Sequence, residues 1–213
     1  MSERTARIER QTGETDVRLR LALDGQAAQA AGIATSIEVP DGFFGHMLDA
    51  LATHGGFGLE LVATGDVHVD LHHTVEDVGL ALGEAFREAL GERRGVVRFA
   101  TAFAPLDEAL ARAVVDLSGR GFLVYEEPPE LANAWVTQSF PLTLVTDFFQ
   151  ALADRGRFTL HLDVLRGRNP HHVAEAAFKA VAVALRSAVA LRAVPGLSGA
   201  AADVPSTKGT LSS

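Results

Sequence analysis

The stretch DVRLRLAL (16–23) alternates apolar and polar residues with period two, which predicts a half-buried strand. RAVVDLS (112–118) alternates less cleanly, and FGLELVAT (57–64) and FTLHLDVL (158–165) are further strand candidates. Elsewhere the period lengthens. From His72 to Leu90, the residues Val75, Val78, Leu82, Phe86 and Leu90 recur at steps of three and four, predicting an amphipathic helix that Gly91 stops. A second helix is predicted from His171 to about Leu191, with Ala174, Phe178, Val181, Leu185 and Ala188 on one stripe. Each helix has an apolar face for a sheet and carries histidines in its first turn.

These elements occur twice in the same order. HMLDALATHGGFGLEL from His46 and DFFQALADRGRFTLHL from Asp147 align without a gap at an offset of 101, sharing seven of sixteen residues; about one match would arise from composition of this kind. A Gly-containing turn (ATGD, LRGR) and then a His-His helix follow in both copies. Upstream, ETDVRLRLALDG from Glu14 runs parallel to EALARAVVDLSG from Glu108. The pattern predicts an α+β architecture: an internally duplicated unit with two sheets, each covered on one side by helices. The expected division is 1–95 for the first half, 96–194 for the second, and 195–213 for a flexible tail that contains PSTKG.

The duplicated motif is His-His-x-x-Glu: His72, His73 and Glu76 in one copy, His171, His172 and Glu175 in the other. On a helix, residues four apart share a face, so His72 can meet Glu76 at one ion, and His171 can meet Glu175. The middle histidines, His73 and His172, are turned about 100° from their neighbours. Two such motifs, each lending a pair to one ion and a single His to another, can build paired metal sites. Adjacent imidazoles at a helix N-terminus oppose the helix dipole when protonated, an objection that metal binding removes by requiring the neutral form. His46 is a further ligand candidate, and the repeat makes Asp147 its counterpart, although an Asp there also reads as a helix N-terminal carboxylate. His68 and His161, set among apolar neighbours in predicted strands, and His54, at a helix end, are expected to be structural.

Composition narrows the chemistry. The chain has 213 residues, is 47% hydrophobic and contains no cysteine, so a bound metal must be held by imidazole and carboxylate. A net charge of −8 argues against a general nucleic-acid binder but leaves room for a small anion held by local cations. Of 19 basic residues only Lys179 and Lys208 are lysines. The start has no apolar signal region and no run approaches a membrane span, so a cytoplasmic location is expected.

RIERQTGET, GHMLDALATHGGF, GDVHVDLHHTVEDVGLALGEAFREALGER, APLDEAL, DLSGR, FTLHL, HHVAEAAFKA and PSTKG resemble, in content and order, the motifs of the imidazoleglycerol-phosphate dehydratase family. The resemblance covers nearly the whole chain. It implies a duplicated ribosomal protein S5 domain 2-like fold, assembled as a homo-oligomer, an octahedral 24-mer with two Mn²⁺ per active site at subunit interfaces. His46, His72, His73, Glu76, Asp147, His171, His172 and Glu175 then occupy metal-ligand positions. Glu14, Arg98, Arg120, Lys179, Ser206, Thr207 and Lys208 match substrate-binding positions, chiefly for phosphate. The chain departs from the family at three places. Asp147 stands where His is usual, Gly45 where Asp precedes HML, and Leu71 at the second Asp of DDHH, which exchanges one imidazole for a carboxylate and removes two acids able to orient imidazoles.

The implied reaction converts imidazole glycerol phosphate to imidazole acetol phosphate and water in histidine biosynthesis. The substrate has no carbonyl to acidify the departing carbon-bound proton. Manganese-assisted formation of the imidazolate would let ring electrons expel the hydroxyl before that proton leaves. Glu14 is the acid or base, with metal-bound His72, His172 and Glu175 sharing catalysis. Two other readings stay open: another metal-dependent enzyme acting on a phosphorylated substrate, and an inactive metal-binding structural paralogue.

Overall fold

The computed structural model describes residues 4–192 and 203–211. The first half contains β1 (Thr5–Gln11), β2 (Thr15–Ala22), α1 (Gly25–Ala31), β3 (Ser36–Glu38), α2 (Gly42–Gly55), β4 (Gly58–Gly65) and α3 (His72–Leu90). The second contains β5 (Phe99–Leu106), β6 (Ala109–Asp116), β7 (Phe122–Glu126), α4 (Thr143–Gly156), β8 (Thr159–Arg166) and α5 (Pro170–Val189), with a 3-10 turn at Pro129–Leu131. The sheets have orders β1-β2-β4-β3 and β5-β6-β8-β7, and in each the last strand pairs parallel while the others are antiparallel. This common topology is the structural form of the repeat, and the architecture is α+β as expected.

Local chemistry explains the elements. Val17, Leu19 and Leu21 of β2 are buried while Arg18 and Arg20 between them face outward, which is the period-two reading of that stretch. Every residue of the two predicted helical stripes is buried. The first predicted helix matches α3 at both ends, and Gly91 follows it at φ 52° with its N–H on the carbonyls of Arg87 and Glu88. At the start of α3 Leu71 supplies no side-chain cap; it is buried, and the Asp70 carboxylate instead accepts from His72 N at 2.9 Å. Asn169 and Pro170 start α5 in the ordinary way, with Asn169 Oδ1 accepting from His171 N at 3.0 Å.

One expectation needs correction: His68 is not in a strand. β4 ends at Gly65, and residues 67–69 form a turn in which Val69 N–H bonds the Asp66 carbonyl at 2.7 Å. Val67 and Val69 are exposed there, so the apolar alternation around His68 has no partner strand to satisfy. His161 does lie in a strand, β8, on its exposed face. Within the expected tail, 195–202 and 212–213 lie outside the described residues. The part that is described is hydrogen-bonded to the body, through Gly95 N–H to the Asp203 carbonyl and the Arg93 and Arg98 guanidiniums to the Leu211 and Pro205 carbonyls.

The helices form a layer between the two sheets. Helix α3 rests on β1 and β2 and packs on α4; α5 rests on β5 and β6 and packs on α2. A single apolar core therefore runs through both halves. The α3–α4 contact is made close by glycine: a Cβ on Gly79 would sit 2.8 Å from the Phe148 carbonyl oxygen, and one on Gly83 2.5 Å from that of Leu152. Replacing Gly83 with Val should push α3 off α4 and lower unfolding free energy by about 1–3 kcal/mol, read from urea denaturation of the metal-free protein.

Candidate active site

The cross-half helix contacts bring the ligand candidates together. From α2 comes His46, and from α5 come His171 and Glu175. His46 Nε2 lies 3.5 Å and His171 Nε2 3.3 Å from the same carboxylate oxygen, Glu175 Oε2. One turn further along α5, Lys179 Nζ is 2.5 Å from the other oxygen. Burial works to raise the Glu175 pKa, but Lys179 and His46 outweigh it and hold the carboxyl below its ordinary value. The three donors lie within 4.8 Å of one another. Neighbouring donors on a hard divalent ion at bond lengths of roughly 2.1 Å are about 3 Å apart, so the spacing suits such an ion.

The second cluster repeats the first with the halves exchanged. Helix α4 supplies Asp147 and α3 supplies His72 and Glu76. His72 Nδ1 is 3.3 Å from Asp147 Oδ2, and its Nε2 is 4.0 Å from Glu76 Oε2. Asp147 sits inside α4 rather than at its cap, aimed at the neighbouring helix. This cluster is looser, and a cavity of about 630 Å³ opens beside it, walled in part by Leu71, Trp135 and Leu144.

His73 and His172 face away from these clusters, as the helical rotation requires. Each is held through Nδ1. His73 Nδ1 is 3.1 and 3.2 Å from the Asp66 oxygens, and this hydrogen bond raises the imidazole pKa, with Glu14 adding to the effect from 3.7 Å. His172 Nδ1 is 2.7 Å from Glu108 Oε2; that bond, with the Asn169 N–H, draws the Glu108 carboxyl down to about 2. Neither Asp66 nor Glu108 is singled out by motif spacing. The repeat itself held the signal for Glu108, which aligns with Glu14, and Asp66 is the Asp of the ATGD turn.

A third missed residue ties this region down. Asp77, next to Glu76 on α3, is buried and accepts from Arg10 Nε at 2.9 Å, from Arg10 Nη2 at 2.8 Å and from the Thr15 hydroxyl. The strand ends that flank Glu14 are thus fastened to the helix bearing His72, His73 and Glu76. An Asp set between Val75 and Val78 of the apolar stripe was the available clue.

The residues matched to phosphate binding are only partly drawn together. Arg98, at φ 80°, pairs with Asp116 at 2.7 and 3.3 Å and donates to the Pro205 carbonyl at 2.6 Å, so it meets the PSTKG segment directly. Within that segment Lys208 N–H reaches Ser206 Oγ at 3.2 Å, and the Thr207 backbone lies between them. The buried Arg93 and the side-chain-free Gly119 hold the Leu211 end, where a Cβ on Gly119 would strike the Leu211 carbonyl. Arg120 is exposed, one residue beyond Gly119. Among the described residues no contact joins the Arg120 guanidinium or the Lys208 ammonium to another of these side chains. Lys179 belongs instead with Glu175.

The duplicated α+β fold thus brings together imidazoles and carboxylates from both halves, and the donors of His46, His171 and Glu175 lie close enough to hold a metal ion. The family model for imidazoleglycerol-phosphate dehydratase matches residues 40–185. Imidazoleglycerol-phosphate dehydratase of Lacticaseibacillus casei is 51% identical, covering 98% of this chain and all of its own length; that of Acidiphilium cryptum is 52% identical, covering 98% and 99%. Among solved structures, IGPD from Pyrococcus furiosus in complex with (S)-C348 superposes with a TM-score of 0.77 at 34% identity, over 95% of this chain and 99% of that one. The Staphylococcus aureus imidazoleglycerol-phosphate dehydratase gives 0.72 at 31%, over 88% and 99%. The chain belongs to the imidazoleglycerol-phosphate dehydratase family and is a hydro-lyase of histidine biosynthesis.

Replacing Asp77 with Ala strips Arg10 and the Thr15 hydroxyl of their common acceptor. Chemical denaturation of the metal-free protein should show a loss of about 2–4 kcal/mol. An unchanged midpoint would make the network incidental.

Proposed function

We propose that the protein converts imidazole glycerol phosphate to imidazole acetol phosphate and water, with manganese as its resident ion and two ions per active site. The observation that carries this reading is the pair of related clusters, His46–His171–Glu175 and Asp147–His72–Glu76, whose donors are nitrogen and oxygen only and whose first member has ligand spacing. Asp147 is then a ligand exchange, carboxylate for imidazole, that a hard ion tolerates. When bound, manganese supplies Lewis-acid stabilisation of the substrate's imidazolate form and a template, with no redox change.

The chain's own residues do the rest. A carbon-bound proton must leave and the hydroxyl on the neighbouring carbon must depart as water, so one group has to accept a proton and one has to donate. Glu14 is assigned that exchange: its side chain is 57% exposed beside His73, which leaves the carboxylate accessible. His72, His172 and Glu175, as ligands next to the reacting ring, share in it. Arg98, Arg120, Lys179, Ser206, Thr207 and Lys208 are assigned to hold the substrate, chiefly its phosphate, giving an acidic protein a local positive site. Arg98 reaches that role by exchanging or sharing its Asp116 contact.

The first cluster offers three donors, fewer than the six of an octahedral shell, and the second has Asp147 beside His72 Nδ1 with Glu76 nearer its Nε2. His73 and His172 are held through Nδ1, which leaves Nε2 as their ligating atom. Ligation of a neighbouring copy's ion by these two imidazoles accounts for both facts. It makes the active site an interface in a homo-oligomer, for which we propose the octahedral 24-mer. The proposed division is two repeat halves, 1–95 and 96–194, followed by a substrate-binding tail, 195–213. No helix among the described residues is long and apolar enough to cross a membrane, which accords with the proposed cytoplasmic location.

The test is turnover of imidazole glycerol phosphate by chelated protein with and without added Mn²⁺, following the ketone product. Product that depends on manganese is expected. Full manganese occupancy without product would favour the inactive structural paralogue. Glu14→Gln should lower kcat by about 10²- to 10⁴-fold while the protein still binds manganese; near wild-type turnover would remove Glu14 from the reaction.

A further inference from the structure

Glu14 and Glu108 occupy the same place in the two halves, in the turn between the first two strands, yet their carboxylates are used differently. Glu108 is committed. It contacts His172 Nδ1 at 2.7 Å through one oxygen and accepts the Asn169 and Arg168 N–H groups at 2.9 and 3.4 Å through the other. Its side chain is 29% exposed, against 57% for Glu14. Glu14 stands 3.7 Å from His73 Nδ1, beyond hydrogen-bond distance. The first-half imidazole is held instead by Asp66, in the turn after β4.

The second half has no acceptor at the matching place. Gly167 is the counterpart of Gly65, since a Cβ on Gly65 would meet Thr74 and Thr15 and one on Gly167 would meet the matched Val173 and Ala109. Asp66 is therefore matched by Arg168, whose guanidinium only donates. With Arg168 in place of an acid, holding His172 falls to the hairpin glutamate. With Asp66 after β4, the hairpin glutamate of the first half is spared.

We propose that Asp66 and Glu108 are the positioning residues of His73 and His172, and that Asp66, by taking this contact in the first half, frees Glu14 for the substrate. The proposal rests on the metal-binding role given to these histidines above. An imidazole that ligates through Nε2 carries its proton on Nδ1, and a carboxylate accepting that proton fixes both the tautomer and the ring angle. The duplicated glutamates have thus divided: one orients, the other reacts.

A competing use of the same atoms exists, because Glu14, Asp66 and His73 Nδ1 also lie within 4.8 Å of one another and could hold an ion themselves. Asp66 would then be a ligand, and its loss would delete a site instead of weakening one.

The experiment is titration of the metal-free full chain with Mn²⁺, without substrate, reading free ion by electron paramagnetic resonance. Asp66→Asn and Glu108→Gln should raise Kd by about 10- to 100-fold with the number of sites unchanged, the usual cost of losing a partner behind a metal-bound imidazole. Asp66→Glu, which keeps a carboxylate, should recover part of that loss and so separates orientation from misfolding. Glu14→Gln should bind Mn²⁺ as the wild type does. The proposal is overturned if Asp66→Asn leaves Kd unchanged, if it removes one site from the count, or if Glu14→Gln weakens binding as much as Asp66→Asn. Failure of the wild type to bind Mn²⁺ would overturn the metal reading itself, and is distinguishable because all variants would then behave alike.

Discussion

The close contact between helices of opposite halves is the constraint on which the rest depends. No half carries a complete cluster: His46 must reach the second half's α5, and Asp147 must reach the first half's α3. That reach is set by how near the helices approach, and on the α3–α4 side the approach is backbone to backbone across Gly79 and Gly83. Packed interiors tolerate little displacement. Helix spacing and ligand spacing are therefore the same quantity measured at different places.

The two halves share a topology but not a chemistry. Asp147 faces His72 where His46 faces His171, and Asp66 faces His73 where Glu108 faces His172. Each difference alters charge or reach while the backbone plan is kept. A duplicated fold provides two equivalent frames, and what distinguishes them is the side chain placed at a few matched positions. Arg168 against Asp66 is the clearest pair.

Around these sites the acidic chain uses its arginines chiefly as fasteners. Arg10 ties the β1 end to α3 through Asp77, Arg93 ties Leu211 to the Gly156 carbonyl at the end of α4, and Arg98 ties Pro205 to Asp116. A planar fork with several donors suits that work better than an ammonium. The lysines stand apart from it: Lys179 meets a ligand carboxylate, and Lys208 lies in the segment that the arginines hold.

Periodicity alone was enough for β2, β4, β6, β8, α3 and α5, because their apolar stripes record which face is buried, and internal alignment alone revealed the duplication. The spacing of His72, Glu76, His171 and Glu175 likewise follows from the pitch of a helix. Edge strands such as β3, three residues long and so too short for a repeat to show, left no comparable trace. His68 misled because alternation reports a face only where a partner strand exists to bury it. Which carboxylate stands behind which imidazole was decided by tertiary structure: Asp66, Asp77 and Glu108 act on groups 7, 62 or 67, and 64 residues away. Such pairings depend on where turns and helices come to rest, a matter of three-dimensional packing that no local pattern of residues encodes.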